Sequence, residues 1–275
     1  MLKRNLKRKI TKQELSMLPR AFDIVGNIAI INLPRELRRK EKLVAQEILK
    51  LKNIETVVNK IGGITGKLRR TPYKVVSGKK TFETMHKENN CRMKMDISKV
   101  YFSPRLASDR LDIAKQVKKN EKILVMFAGI LPYTLVIARN SKAKEIYAIE
   151  INKSAAKYAL ENIKLNKVDN VVFIRGDVKK VIPSFKRKGM KFDRIVMPRP
   201  QIRDTFLKYA FSVAKKGTII HFHDFLKEEE IPVVAEGRIR QEAFYAKRKV
   251  KILRCKKTGE IAPYKYRVRV DFQVL

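Results

Sequence analysis

At 275 residues and 44% hydrophobic content, the chain has room for one large or two medium domains, each with a proper core. No apolar stretch approaches the roughly 20 residues that span a bilayer; two cysteines, Cys91 and Cys255, and three histidines leave little for a zinc site or a disulfide framework. Lysine and arginine number 64 against 27 acidic residues, a balance of +37 that favours a nucleic-acid partner.

Residues 1–20 carry seven cations, Lys3, Arg4, Lys7 and Arg8 among them, and one acid, Glu14. No apolar segment follows, so this is read as a phosphate-touching basic arm and not a secretory signal, in a protein of the reducing cytoplasm. No stretch joins the charge to a broad apolar helical face, which argues against a membrane surface. Residues 21–105 read as a small α+β domain. Phe22–Asn27 and Ile28–Ile31 flank a turn, Leu37–Leu51 has a helical period, and a strand begins at Thr56. Gly62–Gly66 is a flexible turn, and short strands are expected within Lys67–Val76, Glu83–Lys87 and Arg92–Asp96. From Asp109 strands and helices alternate: helix Leu111–Val117, strand Ile123–Phe127, strand Ile146–Glu150, helix Ser154–Leu165, strand Val171–Ile174, strand Arg194–Met197, helix Asp204–Ala214, strand Thr218–His223. That alternation predicts a parallel, doubly wound sheet. Val250–Cys255 and Tyr266–Phe272 predict a hairpin-like pair closing its far edge.

The central stretch is Lys122–Tyr133, KILVMFAGILPY. A continuous apolar strand ends in Ala128-Gly129, and Pro132 suits the first turn of a helix. Ligands of open α/β sheets sit at such a turn, although many buried turns carry a glycine and bind nothing. Glu150 ends the second strand 21 residues after Gly129, where an acid can accept two ribose hydroxyls or simply cap a helix. Asp177, after the third strand, can accept from an adenine amino group while the Val178 N–H reads a ring nitrogen. Three strand ends, Gly129, Glu150 and Asp177, thus suggest an adenosine-containing ligand. Ile130-Leu131 replaces the remaining glycines of G-x-G-x-x-G, which disfavours NAD. S-adenosylmethionine has no phosphate and needs no such cradle. His221 and His223 share a strand face, weak evidence for a metal.

The runs KVYFSPRL (Lys99–Leu106), Asp109-Arg110, MFAG, YAIEIN, ENIKLNKV (Glu161–Val168), RGDV and FDRIVMPRP (Phe192–Pro200) resemble, in order, the archaeal and eukaryotic tRNA guanine-37 N1-methyltransferase family. The likeness covers about residues 20–225; FDIVGNIAIINLPREL and ETMHKENN resemble that family's small middle domain. It implies an α/β fold, a class I Rossmann-like methyltransferase domain over 106–275 behind a small α+β domain. It also implies S-adenosylmethionine as cofactor, the anticodon stem-loop of tRNA at position 37 as partner, no metal, and a monomer.

The resemblance assigns roles. Asp109 falls where the family has a glutamate general base before an arginine, and Arg69, or Arg70, where an arginine contacts guanine O6. Tyr101 and Arg110 match positions near the cofactor; Phe127, Ala128, Ile151 and Pro198 complete that set. Arg105 and Pro200 join Lys3, Arg4, Lys7 and Arg8 as expected tRNA contacts. The residue types suit the chemistry. Guanine N1 carries a proton, so a carboxylate must remove it while a cation receives the charge developing on O6. Without the resemblance, Asp109 reads as an N-cap or a partner of Arg110, and Arg69 as a solvated charge. The chain departs from the family pattern at Val125, Leu131 and Pro198, where aspartate, glycine and asparagine are usual, and is expected to be a member without the extra N-terminal domain that many archaeal members use. Two alternatives stand beside methyl transfer to guanosine 37: a wyosine-pathway relative, methylating the tricyclic base or transferring the aminocarboxypropyl group, and a catalytically lapsed RNA-binding protein.

Overall fold

The computed structural model describes residues 2–19, 21–63 and 71–275, in two compact units: Met1–Lys87 with Arg92–Pro104, and Glu88–Cys91 with Arg105–Leu275. Among the described residues no helix is long and apolar enough to cross a membrane.

The first unit opens with α1 (Leu2–Leu6) and α2 (Lys12–Met17), the latter started by a Thr11/Glu14 capping box. This segment is not the free basic arm that its charge suggests. Leu6, Ile10 and Leu18 are buried with Ile31, Leu37, Val44 and Ile48, and Lys9 pairs with the buried Glu47. Leu2, Leu6 and Ile10 recur every four residues beneath the cations, so one side of the segment is apolar. Lys3, Arg4, Lys7 and Arg8 remain exposed on the other side.

Strands β1 (Asp23–Val25), β2 (Ile28–Ile31), β3 (Thr56–Lys60) and β4 (Tyr73–Gly78) form one sheet in that order. The parallel pair β2/β3 is connected through α3 (Glu41–Leu49), whose buried face is Val44, Ala45 and Ile48. Gly26 turns β1 into β2 at φ +58°, and a Cβ there would lie 2.1 Å from Thr84 Oγ1. Strands β5 (Glu83–Glu88) and β6 (Cys91–Asp96) form a hairpin. Asn89 and Asn90, both at positive φ, make its two-residue turn.

The second unit begins with α4 (Ala107–Gln116), which starts earlier than the apolar period suggests and so takes in Asp109 and Arg110. It continues through β7 (Lys122–Met126), α5 (Pro132–Asn140), β8 (Glu145–Glu150), α6 (Lys153–Asn166), β9 (Val171–Arg175), α7 (Val178–Arg187), β10 (Phe192–Met197), α8 (Leu207–Val213), β11 (Ala214–Lys227), α9 (Val233–Tyr245), β12 (Val250–Ala262) and β13 (Lys265–Val274). The sheet order is β12-β13-β11-β10-β7-β8-β9. All neighbours pair parallel except β13, antiparallel to both β11 and β12. Strand β12 runs on through Gly259, so the hairpin at the sheet's edge is longer than predicted.

Side chains alternate across this sheet. Phe222 of β11 and Val268, Val270 and Phe272 of β13 join Leu207 and Phe211 of α8 and Ile239 of α9 in one apolar core. The intervening residues, His221, His223, Arg269 and Asp271, are as thoroughly buried on the opposite face.

Candidate active site

The candidate cofactor edge is built where β7, β8 and β9 end. The apolar β7 stops at Met126, and the turn that follows is tight: Phe127, Gly129 and Leu131 all have positive φ, at 58°, 57° and 76°. Only glycine adopts this region without strain; at Leu131, on the position where the family has its second glycine, the cost is about 1–3 kcal/mol. Full burial of Leu131 offsets it. Pro132 then opens α5. The Ala128 N–H donates to the Ile149 carbonyl (2.8 Å) and the Gly176 N–H to the Glu150 carbonyl (2.9 Å), so the three strand ends stand side by side.

Glu150 is the charged group at the centre of this edge. Its Oε2 accepts the Gly129 N–H and its Oε1 the Asn152 N–H, each at 2.7 Å. Burial pushes the carboxyl above its ordinary range, against these backbone donors. Each carboxylate oxygen has a second lone pair, and two ribose hydroxyls are the donors such a pair takes. The turn Phe127–Leu131 contains no cation. That donor set fits a phosphate-free adenosine cofactor.

The other expected cofactor residues divide. Asp177 caps α7, accepting the Lys179 N–H at 2.9 Å, and Val178 is buried as that helix's first residue. Ile151 is 40% exposed beside Glu150, and Phe127 meets the Phe206 ring edge-on at 4.9 Å. Pro198 and Pro200 lie in the segment after β10, which Arg199 holds: its guanidinium donates to the carbonyls of Pro200 (3.0 Å) and Ile202 (2.8 Å) and to Asp224 Oδ1 (2.6 Å). Arg110 is buried in a bidentate pair with Glu88 instead of reaching the edge. Tyr101 belongs to the first unit, and Arg105 is exposed on a short turn that opens the second. Arg69 and Arg70 lie outside the described residues.

Asp109 sits inside a buried ionic layer between α4 and the sheet. Its Oδ2 accepts from Tyr133 (2.7 Å) and His223 Nε2 (2.9 Å), and its Oδ1 from Arg269 (2.6 Å). Burial alone would raise its pKa; the His223 hydrogen bond and the charges of His223 and Arg269 outweigh it and hold the carboxyl well below the usual range. The layer continues through Asp271, which accepts from Arg269 (2.8 Å) and from His221 Nδ1 (2.6 Å), to Arg194 and Glu121. Burial lowers the His221 pKa, so the ring is neutral at pH 7. It donates through Nδ1 to Asp271, and its Nε2 accepts from Arg194 at 2.7 Å. The histidines that shared a strand face are therefore members of an ion network. Among the described residues no cluster suited to a metal ion occurs.

A mostly parallel sheet with β7 inside it beside the central β10, one antiparallel strand inserted near the far edge, and a carboxylate closing β8 defines a Rossmann-like domain of the class I methyltransferase type. Residues 84–253 match the TRM5/TYW2 methyltransferase domain and residues 2–81 the TYW2 N-terminal domain. The chain belongs to the TRM5/TYW2 methyltransferase family. It is 39% identical over 264 residues to the tRNA (guanine(37)-N(1))-methyltransferase Trm5b of Pyrococcus abyssi, covering 95% of this chain and 77% of that one. The crystal structure of that protein superposes with a TM-score of 0.86 over 96% of this chain and 78% of that chain. It is 32% identical to the tRNA 4-demethylwyosine(37)-methyltransferase Taw21 of Saccharolobus solfataricus, covering 92% of this chain and 93% of that one. The structure of Pyrococcus horikoshii TYW2 in complex with MeSAdo matches with a TM-score of 0.82 at 27% identity, over 100% and 98% of the two chains.

Proposed function

We propose that this protein transfers the methyl group of S-adenosylmethionine to N1 of guanosine 37 in tRNA, as a cytoplasmic monomer. The observation that carries the reading is the Glu150 carboxylate, fixed at the carboxyl edge of the parallel strands by the N–H groups of Gly129 and Asn152. When bound, S-adenosylmethionine supplies an electrophilic methyl group. Glu150 orients the ribose, Asp177 and the Val178 N–H recognise the adenine, and Phe127, Ile151 and Pro198 pack around the ligand.

The chain's own acid–base task is at guanine. A guanine N1 that keeps its proton has no lone pair to offer, so a base must take N1–H as the methyl group arrives. Asp109 is the proposed acceptor, kept ionised by Arg269 and His223, with Arg69 neutralising the charge on O6. Asp109 is only 2% exposed, so the proposal includes its uncovering when RNA binds. Asp109→Asn is expected to bind S-adenosylmethionine with unchanged affinity by calorimetry. Its single-turnover methyl transfer to a tRNA bearing G37 is expected to fall by about 10²–10⁴-fold. Transfer at the wild-type rate would reduce Asp109 to an anchor of α4 on the sheet.

A second reading has its own support. The N-terminal segment matches the TYW2 N-terminal domain, and the 4-demethylwyosine methyltransferase is matched along nearly its whole length. On that reading the same edge methylates a tricyclic base at position 37.

A further inference from the structure

At the cofactor edge, the turns Phe127–Leu131 and Glu150–Asn152 contain no lysine or arginine. At the opposite edge, where strands begin, α7 ends in Lys186-Arg187 and the loop into β10 reads Lys188-Gly189-Met190-Lys191, while the loop from α9 into β12 contains Lys247-Arg248-Lys249. Neither loop contains an acid. Both are fixed in place: Lys191 Nζ donates to the Ser212 carbonyl (3.1 Å), the Arg248 N–H to the Ala243 carbonyl (2.9 Å), and the Leu275 N–H to the Lys249 carbonyl (2.9 Å). They also meet. The Lys191 ammonium is held below its ordinary pKa by burial and by repulsion from Arg248 and Lys186.

Beside these cations, Phe244 and Tyr245 end α9 at 77% and 70% exposure, with ring centroids 5.9 Å apart. Crowded like charges and exposed aromatic rings are each unfavourable in the free protein. A single partner chemistry relieves both: a phosphate backbone with unstacked bases. A duplex hides its base faces, and the neighbouring positions Arg240, Gln241 and Glu242 give α9 no apolar stripe to sink into a membrane.

We propose that the edge formed by the α7–β10 and α9–β12 loops, with Phe244 and Tyr245, binds single-stranded RNA without sequence selectivity. The six residues of β10 set this surface about 20 Å from the cofactor edge. An RNA segment delivering a base to that edge is therefore a different segment from the one bound here. The inference stands whichever base the cofactor edge modifies.

The test uses the full chain and a short fluorescein-labelled oligouridylate, which contains no guanine. Phe244→Ala/Tyr245→Ala is expected to weaken binding by about 5-fold or more with an unchanged salt dependence. Lys188→Gln/Lys247→Gln/Lys249→Gln is expected to weaken it and flatten the slope of log K against log salt by about 0.7 per cation removed. The same exchange at exposed positions of α6, Lys153→Gln/Lys157→Gln/Lys164→Gln, is expected to leave affinity within about 2-fold. Two results would overturn the proposal: equal losses from the α6 set, or binding to phosphatidylserine vesicles but not to the oligouridylate.

Discussion

Two buried carboxylates, Glu150 and Asp109, are shifted in opposite directions. Glu150 meets only backbone N–H donors, so desolvation wins and its pKa rises; Asp109 meets Arg269 and His223, so charge and hydrogen bonding win and its pKa falls. The ionised form of Glu150 is the one that accepts two ribose hydroxyls. S-adenosylmethionine affinity should therefore decline on acidification at a pH above the ordinary carboxylate range. Glu150→Gln should lower affinity at neutral pH by about 10–100-fold and abolish that pH dependence, both measurable by calorimetry. The place of Glu150 was legible because a strand end and its distance from Gly129 are local properties of the chain. The surroundings of Asp109 were not. Its partners Tyr133, His223 and Arg269 are 24, 114 and 160 residues away, and only the fold brings them to it.

At the scale of elements, β13 shows where pattern reading stops. Arg267-Val268-Arg269-Val270-Asp271-Phe272 alternates as a strand with one wet face would. Yet Arg269 and Asp271 are nearly inaccessible, because α4 brings Asp109 and Asp112 to the polar face. Alternation reports two chemically different faces; it does not report whether the polar one meets water or counter-charges. Asp271, lowered from 3.8 to about 2 against the pull of burial, lends stability present in full above pH about 4 and lost as pH falls towards 2. The His221 hydrogen bond and the Arg269 charge supply that lowering. Asp271→Ala is expected to cost about 3–5 kcal/mol in urea unfolding at pH 7 and to flatten the loss of stability between pH 4 and 2. The N-terminal helices are the converse case: charge counting made them an arm, and the buried Leu6 makes them part of a core. Leu6→Ala should destabilise the first unit by about 2–5 kcal/mol, whereas a free arm would tolerate it.

Across the whole molecule, the order of strands and helices in the second unit was readable because each strand is continuous and apolar and each helix periodic. Helices α7 and α9 were the exceptions: α7 has Pro183 inside it, and the buried Ala235, Ile239 and Ala243 of α9 are small or sparse and leave little periodic signal. The net charge of +37 announced a polyanion but not its location. The structure places that charge densely where the large sheet's strands begin and leaves the turns Phe127–Leu131 and Glu150–Asn152 without a lysine or arginine.

The most direct measurement is transfer from S-adenosylmethionine, labelled in the methyl group and separately in the aminocarboxypropyl chain. The substrates are an unmodified tRNA bearing G37, the same tRNA bearing A37, and one carrying 4-demethylwyosine at that position. Methyl label in the G37 tRNA alone, mapped to N1, is the predicted result. Chain label, or methyl label only in the 4-demethylwyosine tRNA, would contradict it and move the protein to wyosine synthesis; no incorporation from either label would leave an RNA-binding protein without transfer activity.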